Sequence, residues 1–298
     1  MKISDYPQII ELQDNQSFLV SGQNGTKRIV TRDLITFLLN KLYLPMGPGG
    51  VPYGKELTES WASLNSRIVQ GDVSGINIGD FKPFTMTTGE VVVMEVAGID
   101  QYYMCGDQEI GHHVDFISRD CLKGPRKFNA TGTNNGNATD KNPWKASNLF
   151  KAFDTEVWAT LPDDLKRYII EKRAHLETRF SEVGPLNNSG GWAWNNMGKL
   201  WIPTEREVLG SAVWGDQSWT GGGGCNTQYP IFIGGAKHII KGNGNSGPRV
   251  NWWVATARQD SSSDLCLVSC YGAASYYGAA YTEAYAPLGF RIGNDKVA

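Results

Sequence analysis

The stretch WWVATARQDSSSDLCLVSCYGAASYYGAAYTEAYAPLGFRI, residues 252–292, decides how the chain is read. It opens on paired tryptophans, closes on Leu-Gly-Phe-Arg-Ile, and fills the interval with Ser, Gly, Ala and Tyr. Adjacent residues of a strand face opposite ways, so one of Trp252 and Trp253 is expected in the core and the other capping it. Arg291, near the end of an apolar phrase, is a candidate for a buried ion pair. Glu205 or Glu207, which follow the strand-like LWIP, are its expected partners. Between these brackets lie Asp260, Ser262, Asp264, Tyr271, Ser275, Tyr276, Tyr277, Tyr281, Glu283 and Tyr285. Tyrosine gives a large contact area with few rotors, and Ser and Gly add adaptable polar contact, a mix that suits recognition. Trp194 in GGWAWNNMG and Trp219 in WGDQSWTGGGG add flat rings suited to stacking on sugars. Together these residues form the candidate ligand-binding set.

Composition narrows the classes. The chain has 298 residues, 41% of them hydrophobic, which is enough for a large core. The formal charge is −2 and the basic residues are scattered, so nothing supplies the Lys/Arg stripe that nucleic acid requires. The apolar runs fall short of the ~18–20 residues that cross a bilayer. MKISDYPQII carries an acid where a signal peptide has its apolar core, so neither membrane insertion nor secretion of its own is expected. Cys105, Cys121, Cys225, Cys266 and Cys270 make an odd, sparsely spaced set, the usage of a protein made in a reducing cytosol.

Three regions are expected. Residues 1–42 read as a ββα element: strands at Ser17–Val20 and Thr26–Val30, a turn over Gly22–Gly25, then a helix capped by Thr31 with Leu34, Ile35, Leu38 and Leu42 on one stripe. An element this small oligomerises or docks on something. Residues 43–70 read as the Pro/Gly linker LPMGPGGVPYG and a helix over 55–70. Its apolar residues Leu57, Trp61, Leu64 and Ile68 have the spacing of a small coiled coil. Residues 71–298 begin with strands split by Gly89 and Gly98. A long helical region follows over 148–180, with a second helix starting at Pro162-Asp163-Asp164 and placing Leu165, Ile169 and Leu176 on one side. Short strands and loops complete the chain, an order that predicts an α+β fold.

The chemistry-bearing groups do not assemble into a reaction centre. His112-His113-x-Asp115 is the only histidine cluster, but neighbours on a strand diverge and no third His or Cys follows at ligand spacing. Cys266 and Cys270 alternate onto one strand face, where buried thiols are common. TGGGGCN, residues 220–226, lacks the Lys-Ser/Thr ending of a phosphate loop. No catalytic residue, metal site or cofactor is expected, and the chain is read as a non-enzyme.

Two sets of phrases carry a resemblance. Lys2-Ile3-Ser4, Pro7, Asp14, Phe18-Leu19-Val20, Lys27-Arg28-Ile29-Val30-Thr31 and Asp33-Leu34 resemble the N-terminal element of phage tail and fibre proteins. SRDCL (118–122), NPWKASNLFKAFDTEVWATLPDDLK (142–166), KLWIPTEREVLGS (199–211), QYPIF (228–232), NWWVATAR (251–258) and APLGFRI (286–292) resemble a domain-of-unknown-function family of phage and bacterial surface proteins. The fold this implies is similar to C-type-lectin domains of the formylglycine-generating-enzyme type, which end in Gly-Phe-Arg, here Gly289-Phe290-Arg291. The cysteine surroundings do not match that enzyme's catalytic pattern, and the calcium-site strings of sugar-binding C-type lectins are absent.

The resemblance implies a phage tail-tip adhesin. Residues 1–42 would anchor it to other virion proteins, and a homotrimer is favoured. The head, 71–298, would bind a bacterial surface receptor, glycan or protein, through its C-terminal Tyr/Ser-rich loops, in a virion assembled in the host cytoplasm. Some lectin-fold tail proteins are diversified at this position by a mutagenic retroelement, and the residue menu over 260–285 is compatible with that. The alternatives are an enzyme on the same fold, oxidising through Cys266 and Cys270 or cleaving a surface glycan, and a structural virion protein without receptor contact.

Overall fold

A computed structural model describes residues 17–22, 25–30, 54–103, 106–135, 142–177, 192–217, 228–233, 236–279 and 284–294. The chain divides into two compact units, Met1–Met46 and Gly47–Ala298. In the first, β1 (Ser17–Gly22) and β2 (Gly25–Val30) form an antiparallel hairpin in which Gly22 faces Gly25, so both expected strands run on to the turn glycines. The expected helix after Thr31 and the linker residues 44–53 lie outside the described residues.

The second unit mixes helix and sheet and is mostly sheet. It opens with α1 (Trp61–Val69), capped by Ser60, whose Oγ accepts a hydrogen bond from the Ser63 amide at 3.1 Å. The seam Leu57, Trp61, Leu64 and Ile68 is at most 5% exposed, with the Trp61 ring edge-on to Phe116 at 5.7 Å and Phe290 at 5.8 Å. It lies on the chain's own sheet, which corrects the coiled-coil expectation. A helix buries the same stripe whether its partner is a sheet or another helix. The expected 43–70 linker region therefore divides, and its helix belongs to the unit that follows.

Next come β3 (Phe81–Thr85), β4 (Val91–Ile99) and β5 (His113–Cys121). A helical stretch follows: α2 (Asn148–Ala152), a π-helical turn (Phe153–Val157), α3 (Trp158–Thr160) and the single turn α4 (Asp163–Lys166). After β6 (Ile169–Ile170), β7 (Lys172–Glu177), β8 (Trp192–Gly198) and β9 (Leu200–Trp201) the chain forms α5 (Glu205–Leu209), a 3-10 turn (Pro230–Phe232) and α6 (Ala236–Ile239). The remaining strands are β10 (Lys241–Gly242), β11 (Arg249–Val250), β12 (Trp252–Ala257), β13 (Asp264–Val268), β14 (Ala274–Gly278) and β15 (Pro287–Gly293). The principal sheet has the order β3-β4-β5-β15-β6, with β9 also on β15; β12-β13-β14 form a second sheet and β7-β8 a third. Among the described residues no helix is long and apolar enough to cross a membrane.

Two local expectations change. Gly98 does not end a strand; it lies within β4 at a register shift, where a Cβ would stand 2.9 Å from the Tyr229 ring. The second long helix is one turn, α4, followed by strands. Lys172, Ala174 and Leu176 are buried while Arg173 and His175 are half-buried, a period of two that outweighs the helical spacing of Leu165, Ile169 and Leu176.

The closing strand β15 sets the centre. Its register places Phe290 opposite Phe116 and Arg291 opposite Asp115, and alternation sends the two pairs to opposite faces. The phenyl rings stack at 5.5 Å under α1. On the other face Arg291 Nε and Nη2 donate to Asp115 Oδ1 and Oδ2 at 2.7 and 2.8 Å, and Tyr229 Oη donates to Oδ2 at 3.0 Å. Arg291 is thus a buried ion-paired residue, but its partner is Asp115, which corrects the expectation of Glu205 or Glu207. The carboxylate across the ladder rung is nearer than one that follows a neighbouring strand. Glu207 pairs instead with buried Lys172 at 2.6 Å and accepts from Tyr102 Oη at 2.9 Å. Burial works against the Asp115 carboxylate, but the Arg291 charge and hydrogen bonds hold its pKa below the ordinary value.

The histidine pair diverges as expected. His112 Nδ1 contacts Asp100 Oδ2 at 2.8 Å, whereas the His113 ring nitrogens lie 2.8 and 2.6 Å from the Gly111 and Gln101 carbonyls. Those carbonyls favour a charged ring, but burial and the Arg291 guanidinium outweigh them and push His113 down to about 4.

Candidate functional site

The sheet β12-β13-β14 is built on a buried base. Every residue of β12 is buried, and Leu265, Cys266, Leu267 and Val268 of β13 are at most 1% exposed. Trp252 and Trp253 do face opposite ways, but both are fully buried, so neither caps the surface. Trp252 Nε1 donates to the Ile239 carbonyl at 2.9 Å and Trp253 Nε1 to that of Arg126 at 2.8 Å. The strand is covered on both faces, and each indole finds a main-chain acceptor inside.

β14 pairs with β13 so that Tyr276 stands opposite Cys266, Tyr277 opposite Leu265 and Ser275 opposite Leu267. Among the described residues β14 is the outer strand of this sheet. The two tyrosines therefore serve different faces. Tyr276 is half-buried beneath the Arg258 guanidinium, 3.6 Å from its ring centroid, and meets the Trp214 ring edge-on at 4.7 Å. Arg258 is fixed by Asp264 at 2.7 Å. Tyr277 is 38% exposed, and its Oη accepts from Asn251 Nδ2 at 3.4 Å. Tyr271, in the turn between β13 and β14, is 82% exposed.

The loops beside this strand are tied from below. The capping box of α5 uses Thr204 and Glu207. That leaves the buried Glu205 carboxylate to accept from the Val213, Trp214 and Gly215 amides at 3.0, 3.0 and 2.8 Å, which holds the Trp214 loop. Ser261 Oγ accepts from the Asp264 amide at 3.0 Å, and Asn134 Nδ2 donates to the Ser261 carbonyl at 2.8 Å, so the serine run is a braced turn. Asp260 at its head is exposed with φ 57. Ser262 is half-buried, and its carbonyl accepts from the Asn134 amide at 2.8 Å.

The structure thus brings together Asp260, Ser262, Asp264, Tyr271, Ser275, Tyr276 and Tyr277 on one small sheet and its turns. Tyr285 departs from outward display: its ring packs partly against the core, and its main chain bonds Asn251 and Trp253. Trp194 is elsewhere, on β8, half-buried between Tyr102 at 5.4 Å and His175 at 5.5 Å. Trp219, Tyr281 and Glu283 lie outside the described residues. Cys266 is buried in β13, but Cys270 lies past the end of that strand, so the two thiols do not share a strand face. Arg258, Asn251 and Glu205 were missed as site-builders. The Thr204-x-x-Glu207 spacing could have marked the start of α5, but no signal in the sequence ties Glu205 to the Trp214 loop. No protein-family model, curated protein or solved structure matches the chain.

Proposed function

We propose that the chain is the tail-tip adhesin of a bacteriophage. In this reading the second unit is a C-type-lectin-like head that binds a bacterial surface receptor through β14 and its flanking turns, and the first unit joins other virion proteins, with a homotrimer as the assembled form. The chain recognises and does not catalyse. The observation that carries the reading is the exposure of Tyr271 and Tyr277 on a sheet whose inner strands are buried. Aromatic groups presented on a rigid base lose little freedom on binding. Support for the viral setting comes from the N-terminal and C-terminal phrase resemblances, and the Ser/Tyr/Gly menu of the segment is compatible with retroelement diversification.

The test uses the labelled full chain titrated onto bacterial cells and isolated envelopes. Tyr271→Ala and Tyr277→Ala are expected to weaken binding by about tenfold or more while the melting temperature holds. Binding equal to wild type in both variants, or a wild-type chain that attaches to no envelope, sinks the proposal. Antibody labelling of virions checks the location, with decoration of the tail tip expected.

A further inference from the structure

Away from the tyrosine-bearing strand, the segment before Phe128 and the α2 helix with its π-helical turn enclose an open groove of about 400 Å3, within the range of small-ligand sites. Its walls bring together Arg126, Lys127 and Lys151 with Asn148, Thr155 and Glu156. Three cations against one carboxylate leave a local charge of +2. The cations are weakly committed. Arg126 reaches Glu156 only at 3.5 Å, and its buried Nε has no hydrogen-bond partner. Among the described residues Lys127 and Lys151 form no ion pair.

The neutral groups are oriented but unsaturated. Asn148 Oδ1 accepts from the Ala130 amide at 2.9 Å, which turns its NH2 donors outward from that bond. Thr155 Oγ1 donates to the Lys151 carbonyl at 2.7 Å and keeps its lone pairs. A groove with surplus positive charge matches an oxyanion, for which arginine offers a forked pair of donors. The amide, hydroxyl and carboxylate beside it match vicinal hydroxyls.

We infer that this groove is a second binding site, one that takes an acidic sugar, a hexose bearing a carboxylate or a phosphate. Arg126 and Lys151 hold the anionic group, while Asn148, Thr155 and Glu156 take the ring hydroxyls. The inference is independent of the tyrosine surface and adds a second recognition site to the chain.

The test is calorimetric titration of the full chain with glucuronate, glucose phosphate, glucose, acetate and inorganic phosphate. Both acidic sugars are expected to bind about tenfold tighter than glucose and than either free anion, and to weaken as salt is raised. Arg126→Gln is expected to weaken them about tenfold, as loss of a charged hydrogen bond does. Lys127→Ala/Lys151→Ala, at exposed positions that spare the fold, is expected to act in the same direction. Acidic sugars binding no better than glucose overturn the site. Free anions matching the acidic sugars overturn its assignment to a saccharide, and a double lysine variant that melts normally and binds as wild type overturns the assigned residues.

Discussion

Asp115 and Arg291 meet across one rung of the central sheet, 176 positions apart in sequence. Removing the carboxylate leaves a guanidinium buried and unpaired. Asp115→Asn is therefore expected to cost about 3–5 kcal/mol in urea unfolding, with much of the loss recovered in Asp115→Leu/Arg291→Met, which removes both charges. The same node sets a pH response. His113 is pushed down to about 4 in the folded chain, below its ordinary value near 6.5, so the unfolded chain binds the proton first. Its contribution to stability is present above about pH 6.5 and falls away as the pH drops toward 4. Asp115, held below the ordinary carboxylate value, adds a loss of the same sign at lower pH. Urea midpoints measured through this window should decline with acid, and His113→Gln should flatten the decline between pH 6.5 and 4. A single arginine in an apolar phrase announces a buried pair. Its partner was illegible because strand register, a property of distant pairing, chooses it.

Among the elements, α1 is the clearest case of a pattern with two physical meanings. Trp61 is buried against Phe116 and Phe290, so Trp61→Ala is expected to destabilise the chain by about 3–5 kcal/mol. Because that contact is made within one chain, Trp61→Ala should leave the concentration dependence of the melting temperature as it is in the wild-type chain. A concentration-dependent transition restored by the tryptophan would return the seam to an intermolecular role. The hairpin β1-β2 was legible from its turn glycines and α1 from its stripe. The strands over 169–177 were not, since Leu165, Ile169 and Leu176 satisfy a helical spacing by coincidence. The partner strands decide there: β15 takes Ile169 and Ile170, and β8 takes Lys172–Glu177.

For the molecule as a whole, the α+β composition was legible from the order of strand-like and helix-like segments, but the tyrosine strand was not: Ser275, Tyr276 and Tyr277 read as loop residues and lie in β14, paired with β13. Trp194 and Tyr285 were misplaced because residue type alone does not tell a ring that packs from one that projects. The two compact units predict that Gly47–Ala298 folds without the first, melting within about 2 °C of the full chain by calorimetry. The central position of β15 carries a consequence for synthesis. Its rungs to β5, β6 and β9 involve residues 287–293, so on the ribosome the principal sheet stays open, with Phe116 lacking its stacking partner Phe290, until those residues have emerged. Messages cut short anywhere upstream yield chains that lack the keystone of their own core. Nascent polypeptides of this protein should therefore depend on holdase chaperones until β15 is out, and products that lack it should be degraded before assembly.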